Sequence, residues 1–289
     1  MVAVATYGGH AYCRDEWIKN TLEVTKGHKV FLLWNGEGKP QKIFPKHWII
    51  KSIDTKGMSG IEILLAKHRI FRSMFLKGDF SHMFMLESDN FPPKGIIEKF
   101  LDHDRAITSA LYMIQAEHKM KHRIQPTIEN LEKYSSEVCG KDVFIVKSIA
   151  VPTIWGLMNN PSIPDKYNIS GMSLDEISDA QAKSRLWRFP DCLPQRGLVR
   201  ILAAGVGSCL IRRDVMEQIE FRIQEGEMNQ FTDFMLYWDA YNAGFKCYVD
   251  TDVWANHIHP ANEVHDQDKW FNAKSAMDYE IKPSTHQFS

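Results

Sequence analysis

Between Val2 and Leu86 the chain alternates short apolar runs with stretches of helical period, and glycines punctuate the joins. Val2–Thr6, Val30–Trp34, Trp48–Ile53 and His82–Leu86 read as strands, the second closed by the turn sequence NGEGKP. Arg14–Thr25 reads as a helix ended by Gly27. Ile61–Leu76 carries apolar residues at 61, 64, 65, 70, 71, 74 and 75, the spacing of a helix packed on a sheet, with Gly57 and Gly60 before it and Gly78 beyond. Strands that alternate with helices pair in parallel through right-handed crossovers. The expected fold class is therefore α/β, a mainly parallel central sheet flanked by helices. Sheets of this kind bind ligands at the carboxyl ends of their strands.

The remainder is less regular. Arg105–Ile114 reads as a further strand, and the polar Glu117–Lys141 as an excursion or lid. The stretch VFIVKSIAVPTIWG returns to the core, and Ser162–Pro190 has no assigned place. Asp233–Asn242 fits a helix ended by Gly244, and Lys246–Val253 fits a strand. The polar tail after Pro260 is expected on the surface.

Bulk properties exclude several classes of function. The 289 residues carry a formal charge of −1, so no global basic field draws the chain to nucleic acid. The five cysteines are scattered and never spaced C-x-x-C, which predicts reduced thiols rather than a disulfide framework. No stretch approaches the roughly 18 apolar residues of a membrane span. The strand-like opening MVAVATYGG lacks the basic region of a signal peptide. A soluble, cytoplasmic protein is the expectation, with peripheral attachment to a membrane still open.

The chemistry concentrates in HMFMLESDNFPP, from His82 to Pro93. A strand too apolar to be exposed ends in Glu87-Ser88-Asp89, and Pro92-Pro93 stiffens the exit. Paired carboxylates at a strand end form half of a site for Mg²⁺ or Mn²⁺, the other half coming from substrate phosphates. A solvated turn capped by Asp89 or Asn90 is the plainer alternative. The segment resembles the D-x-D stretch of GT-A fold glycosyltransferases, in the form common among family 2-like enzymes. Glu87 stands where that family usually has Asp, and Asp89 matches the more important metal-binding position. The likeness runs over residues 2–260, with the motifs in the family's order.

The resemblance implies roles elsewhere. In VAVATYGGH, Thr6 and Tyr7 would contact the base or ribose, and Asp54 after the third strand would read the base edge. In KHRIFRSMFL, Arg69 or Lys67 would face the donor phosphates, with Arg72 on the solvated face. Glu87 and Ser88 would join the donor site. Gly205 and Gly207 would let backbone approach the sugar or acceptor closely. Thr232-Asp233 replaces the usual Glu-Asp of the catalytic segment, making Asp233 the candidate base and Asp239 a weaker one. In VWANHIHP, His257, ahead of His259, would complete the metal site; two histidines at i and i+2 would also suit Zn²⁺. Each residue has a structural alternative: a buried strand, a turn cap, a solvated arginine, a tight turn, an ordinary helix start or a core histidine.

What the resemblance implies is a GT-A glycosyltransferase with an acceptor-side subregion: residues 1–104 as the nucleotide-sugar half, 105–262 as the acceptor and catalytic half, and 263–289 as a tail. The donor would be a nucleoside-diphosphate sugar, the cofactor Mn²⁺ or Mg²⁺, and the acceptor a glycan, protein or lipid-linked hydroxyl. Two rivals stand beside it. A sugar-1-phosphate nucleotidyltransferase shares the fold and the metal logic, but TYGGHAYCRDEW is a poor version of its glycine-rich loop. A non-catalytic GT-A-like binding module is the other.

Overall fold

A computed structural model describes residues 1–6, 8–123, 142–152, 154–157, 197–224, 232–258 and 264–265. The expectations for Tyr7, residues 124–141, residues 162–190, His259 and the tail after 265 concern residues outside these ranges.

The first half follows the alternation. β1 (Val2–Ala5) leads through a short 3-10 stretch, Gly8–Tyr12, into α1 (Arg14–Val24). β2 (Val30–Trp34), β3 (Ile49–Ser52), α2 (Gly60–Lys77) and β4 (His82–Glu87) complete it. α2 starts on a capping box: the Ser59 hydroxyl accepts from the Glu62 amide, and the Glu62 carboxylate accepts from the Ser59 amide. β5 (Asn90–Phe91) and α3 (Ile96–His103) follow the carboxylate turn, then β6 (Ile107–Leu111).

The second half keeps the expected helix at 233–242 and strand at 246–253 but departs from the expectation before them. Residues 105–114 break into two elements: β6, and β7 (Met113–Arg123), which pairs antiparallel with β8 (Asp142–Pro152) in a separate two-stranded ribbon. Much of the segment assigned to the core is thus in that ribbon, and only β9 (Ile154–Leu157) joins the main sheet, at its edge. β10 (Leu198–Ala204), β11 (Ser208–Arg212), α4 (Arg213–Gln218), α5 (Thr232–Asn242) and β12 (Cys247–Trp254) follow. β13 (Asn256–Ile258) and β14 (Val264–His265) are the last elements described.

The main sheet has nine strands in the order β3-β2-β1-β4-β11-β6-β12-β10-β9, and only β10 and β11 run against the rest. Helices cover both faces, so its inner strands are buried twice over. Ala3, Ala5, Met83 and Met85 pack with Phe71, Phe75 and Tyr237 on one face; Val2, Val4, Phe84 and Leu86 pack with Trp17, Ile97 and Phe100 on the other. A small antiparallel sheet, β14-β13-β5, stands beyond the end of β4 and sets His257 opposite Asn90.

Two arginines lock α2 to α4. Arg72 donates to the carbonyls of Met216 and Ile219, each at 2.8 Å, so it is not the solvated residue the sequence suggested. Arg213 returns the arrangement, donating to Gly78, Phe80 and Leu76 at 2.9, 3.0 and 3.1 Å. Each cation meets carbonyls at the far end of the other's helix, where the helix dipole is negative.

Candidate functional site

The site forms where β4 ends at the centre of the sheet. Ala5 of β1 is in register with Glu87, and the Glu87 amide donates to the Gly207 carbonyl at 3.0 Å. The indole of Trp17 donates to the Glu87 carbonyl at 2.9 Å, fixing the turn from the α1 side. Beyond Glu87 the chain turns into β5, and pairing of β5 with β13 carries His257 back to Asp89. His257 Nε2 lies 3.1 Å from Asp89 Oδ2. The other oxygen, Oδ1, is buried without a hydrogen-bond partner. Burial alone would raise the Asp89 carboxyl; the His257 hydrogen bond and the fields of His257 and His10 outweigh it and hold the group below its ordinary value.

Glu87 is in a different state. Burial first, then the charge of Asp89, push its carboxyl up to about 8. A Cβ built on Gly207 would lie 2.7 Å from Glu87 Oε2 and 2.9 Å from Asn90 Nδ2. At Gly205 a Cβ would run into the phenol of Tyr112. Both glycines therefore make room for the protein's own side chains, rather than opening the backbone to a ligand. The Tyr112 hydroxyl accepts from the Gly207 amide at 3.2 Å, and its ring meets His257 edge to face at 5.6 Å.

Asp233 opens α5, with Oδ1 accepting from the Phe234 amide at 2.8 Å. It is close enough for its charge to raise both Glu87 and Tyr112, and burial pushes its own carboxyl up to about 6. Asp239 is instead paired with Arg222 through two 2.7 Å bonds.

Several expected contacts go elsewhere. Thr6 is buried, and its hydroxyl donates to the Leu33 carbonyl at 3.0 Å, inside the sheet rather than towards a ligand. Asp54 is exposed at the end of β3 and accepts from the Lys56 amide at 3.0 Å, a local turn. Arg69 donates to the Phe221 carbonyl at 3.0 Å. Lys67 is buried and donates to the Thr6 carbonyl and, at 2.7 Å, to Asn35 Oδ1. Burial pushes its ammonium down to about 8.

The sequence reading missed His10. Its Nδ1 is 2.8 Å from Ser88 Oγ and its Nε2 is 3.4 Å from Asp89 Oδ2. Burial holds the ring below its ordinary value against the pull of Asp89. The available signal was a histidine just past a glycine pair at the carboxyl end of the first strand.

The donors fit a divalent cation of modest demands. Among the described residues, no three His, Cys, Asp or Glu side chains already converge as a metal cage. Asp89 Oδ1 lacks a partner, and His257 stands beside the same carboxylate. One carboxylate and one imidazole form a half-site that substrate phosphates and water complete. Imidazole shifts such a site from Mg²⁺, which favours oxygen, towards transition metals. The three described cysteines, Cys13, Cys209 and Cys247, are free and buried. Among the described residues no helix is long and apolar enough to cross a membrane.

No family model matches the chain, and no curated protein matches it. Among solved structures it is similar to A197 from STIV, at 12% identity and a TM-score of 0.41, over 92% of this chain and 93% of that one. It is similar to GalNAc-T7 solved with UDP, GalNAc and Mn²⁺, at 12% identity and a TM-score of 0.47, over 89% of this chain but only 43% of that one. Apo UDP-glucose pyrophosphorylase is similar at 8% identity and a TM-score of 0.41, over 96% of this chain and 98% of that one. Each score is below 0.5, so the functional reading rests on the side chains described above.

Proposed function

We propose that this chain is a GT-A-like glycosyltransferase that moves a sugar from a nucleoside-diphosphate sugar to an acceptor hydroxyl with the help of Mn²⁺ or Mg²⁺. The carrying observation is the meeting of Asp89 and His257 across 168 positions, 3.1 Å apart, beside a buried carboxylate oxygen with no partner. Asp89 would hold the cation through Oδ1, and His257 through Nε2 once that nitrogen gives up its proton. When bound, the cation neutralises charge on the departing nucleoside diphosphate. The nucleobase would lie over the carboxyl ends of β1 to β3, on the side where Asp54 is exposed. Lys67, buried at the same edge, adds a positive charge on the nucleotide side.

Asp233 would act as base. As the acceptor oxygen attacks the anomeric carbon, its proton passes to the Asp233 carboxylate, and the bond to the diphosphate breaks with inversion. A carboxyl raised to about 6 is still ionised at neutral pH and is a stronger base than an ordinary Asp. Glu87, held neutral between Asp89 and Asp233, keeps a third negative charge out of the site.

Incubation with individual nucleotide sugars and Mn²⁺ tests the reading. Free nucleoside diphosphate is expected. Nucleotide sugar formed from a sugar 1-phosphate and a nucleoside triphosphate would identify a nucleotidyltransferase instead. Binding without turnover of any kind would leave a non-catalytic module.

A further inference from the structure

The Glu87–Asp89 turn is gripped from the β1 side. His10 touches two successive residues of it, Ser88 through Nδ1 at 2.8 Å and Asp89 Oδ2 through Nε2 at 3.4 Å. With the ring proton on Nε2, the N–H faces the Asp89 carboxylate and Nδ1 accepts from the Ser88 hydroxyl. The residues around His10 are tied to the same place. The Tyr12 hydroxyl donates to the Ile258 carbonyl at 2.9 Å, and Cys13 Sγ to the Ser88 carbonyl at 3.5 Å. The rings of His10 and Tyr12 meet edge to face at 5.9 Å. His10 therefore sits on a bracket fastened both to the carboxylate turn and to β13.

Two imidazoles, His10 and His257, converge on one oxygen of Asp89, while Oδ1 is buried without a partner. The terminal torsion of an aspartate is broad, so a lone contact does not fix where its oxygens point. Contact from two sides on Oδ2 does, and the His10 contact is the one that would remain once His257 Nε2 turned to a cation. We propose that His10 is a positioning residue: by holding Ser88 and Asp89 Oδ2 it aims Asp89 Oδ1 at the cation. This rests on the reading that Asp89 holds a divalent cation, and it adds a residue that acts through Asp89 rather than on the metal.

The test uses His10→Gln, His10→Asn and His10→Ala in the full chain. Glutamine extends its amide to the position of Nε2 and retains a donor towards Asp89. Asparagine reaches only the position of Nδ1, and so only Ser88. Mn²⁺ affinity is measured in the presence of UDP from the electron paramagnetic resonance signal of free Mn²⁺, with melting followed in metal-free buffer. The glutamine variant is expected to bind close to wild type, and the asparagine and alanine variants about 10- to 100-fold more weakly. An asparagine variant that binds as tightly as wild type, or a glutamine variant that falls as far as asparagine, overturns the proposal. So does a pulsed-resonance spectrum in which His10→Ala loses a nitrogen bound to Mn²⁺, which would make His10 a direct ligand. A wild-type chain that binds no Mn²⁺ overturns the cation reading and the brace with it; Mn²⁺ held equally by wild type and all three variants overturns the brace alone.

Discussion

His68 Nδ1 lies 3.1 Å from Thr232 Oγ1, tying the middle of α2 to the first residue of α5, next to Asp233. His68 is fully buried, its Nε2 has no hydrogen-bond partner, and burial, aided by Lys67, pushes the ring down to about 3. A folded value below the unfolded 6.5 means that the unfolded chain takes the proton first. The stability this group contributes is whole above about pH 6.5 and is lost as pH falls towards 3. Over that window His68 should lower stability by about 1.4 kcal/mol per pH unit. His68→Asn should flatten the slope in urea titrations at a series of pH values. An unchanged slope would assign the acid sensitivity to other groups.

Asp89→Ala should remove the metal-dependent part of UDP or GDP binding, because it deletes a buried carboxylate oxygen that has no hydrogen-bond partner among the described residues. Glu87→Ala should cost less, since that carboxyl faces Gly207 and Asn90. Calorimetry with and without Mn²⁺ compares the two. Equal losses would mean that Glu87 turns to the cation when the donor binds.

Asp233→Asn should keep donor and Mn²⁺ affinity while transfer falls about 10²- to 10⁴-fold, the usual contribution of a positioned base. The wild-type rate should decline as pH drops through about 6, because the raised carboxyl must be ionised to accept a proton. The asparagine variant should lack that inflection. A product that retains the donor's anomeric configuration would remove Asp233 from the role of base.

Arg72→Ala and Arg213→Ala should each destabilise by about 1–3 kcal/mol, the range for hydrogen bonds to a charged group. The two guard one α2–α4 contact, so the double variant should cost less than the sum. Strict additivity in denaturant melts would show that the two ends open independently.

What was legible in the sequence depended on how local its cause is. β1, β2, α2 and β4 lie within a residue or two of their expected places, because apolar period and glycine punctuation act over a few residues. The pairing partners were not legible. β10 and β11 are separated by only three residues, yet β11 goes between β4 and β6 while β10 goes beside β12. Asp89 and His257 could be named because each follows a strand, β4 or β12, by two or three residues. His10 could not, because only the adjacency of β1 and β4 brings it to Ser88. Lys67 and Arg69 show the limit of reading a helix face. Two residues set side chains about 200° apart, and which one meets the strand ends depends on how the helix is rolled against the sheet.

Tyr112 and the two glycines at 205 and 207 have a consequence for descent. The phenol fills the space of one missing side chain and, with Glu87 and Asn90, crowds that of the other. Neither glycine is free to vary while the tyrosine stays, and a smaller residue at 112 would release the first of them. A side chain at 205 therefore has to arrive together with a smaller residue at 112, while position 207 stays closed by Glu87 and Asn90, so the glycine pair is a record of what the interior holds.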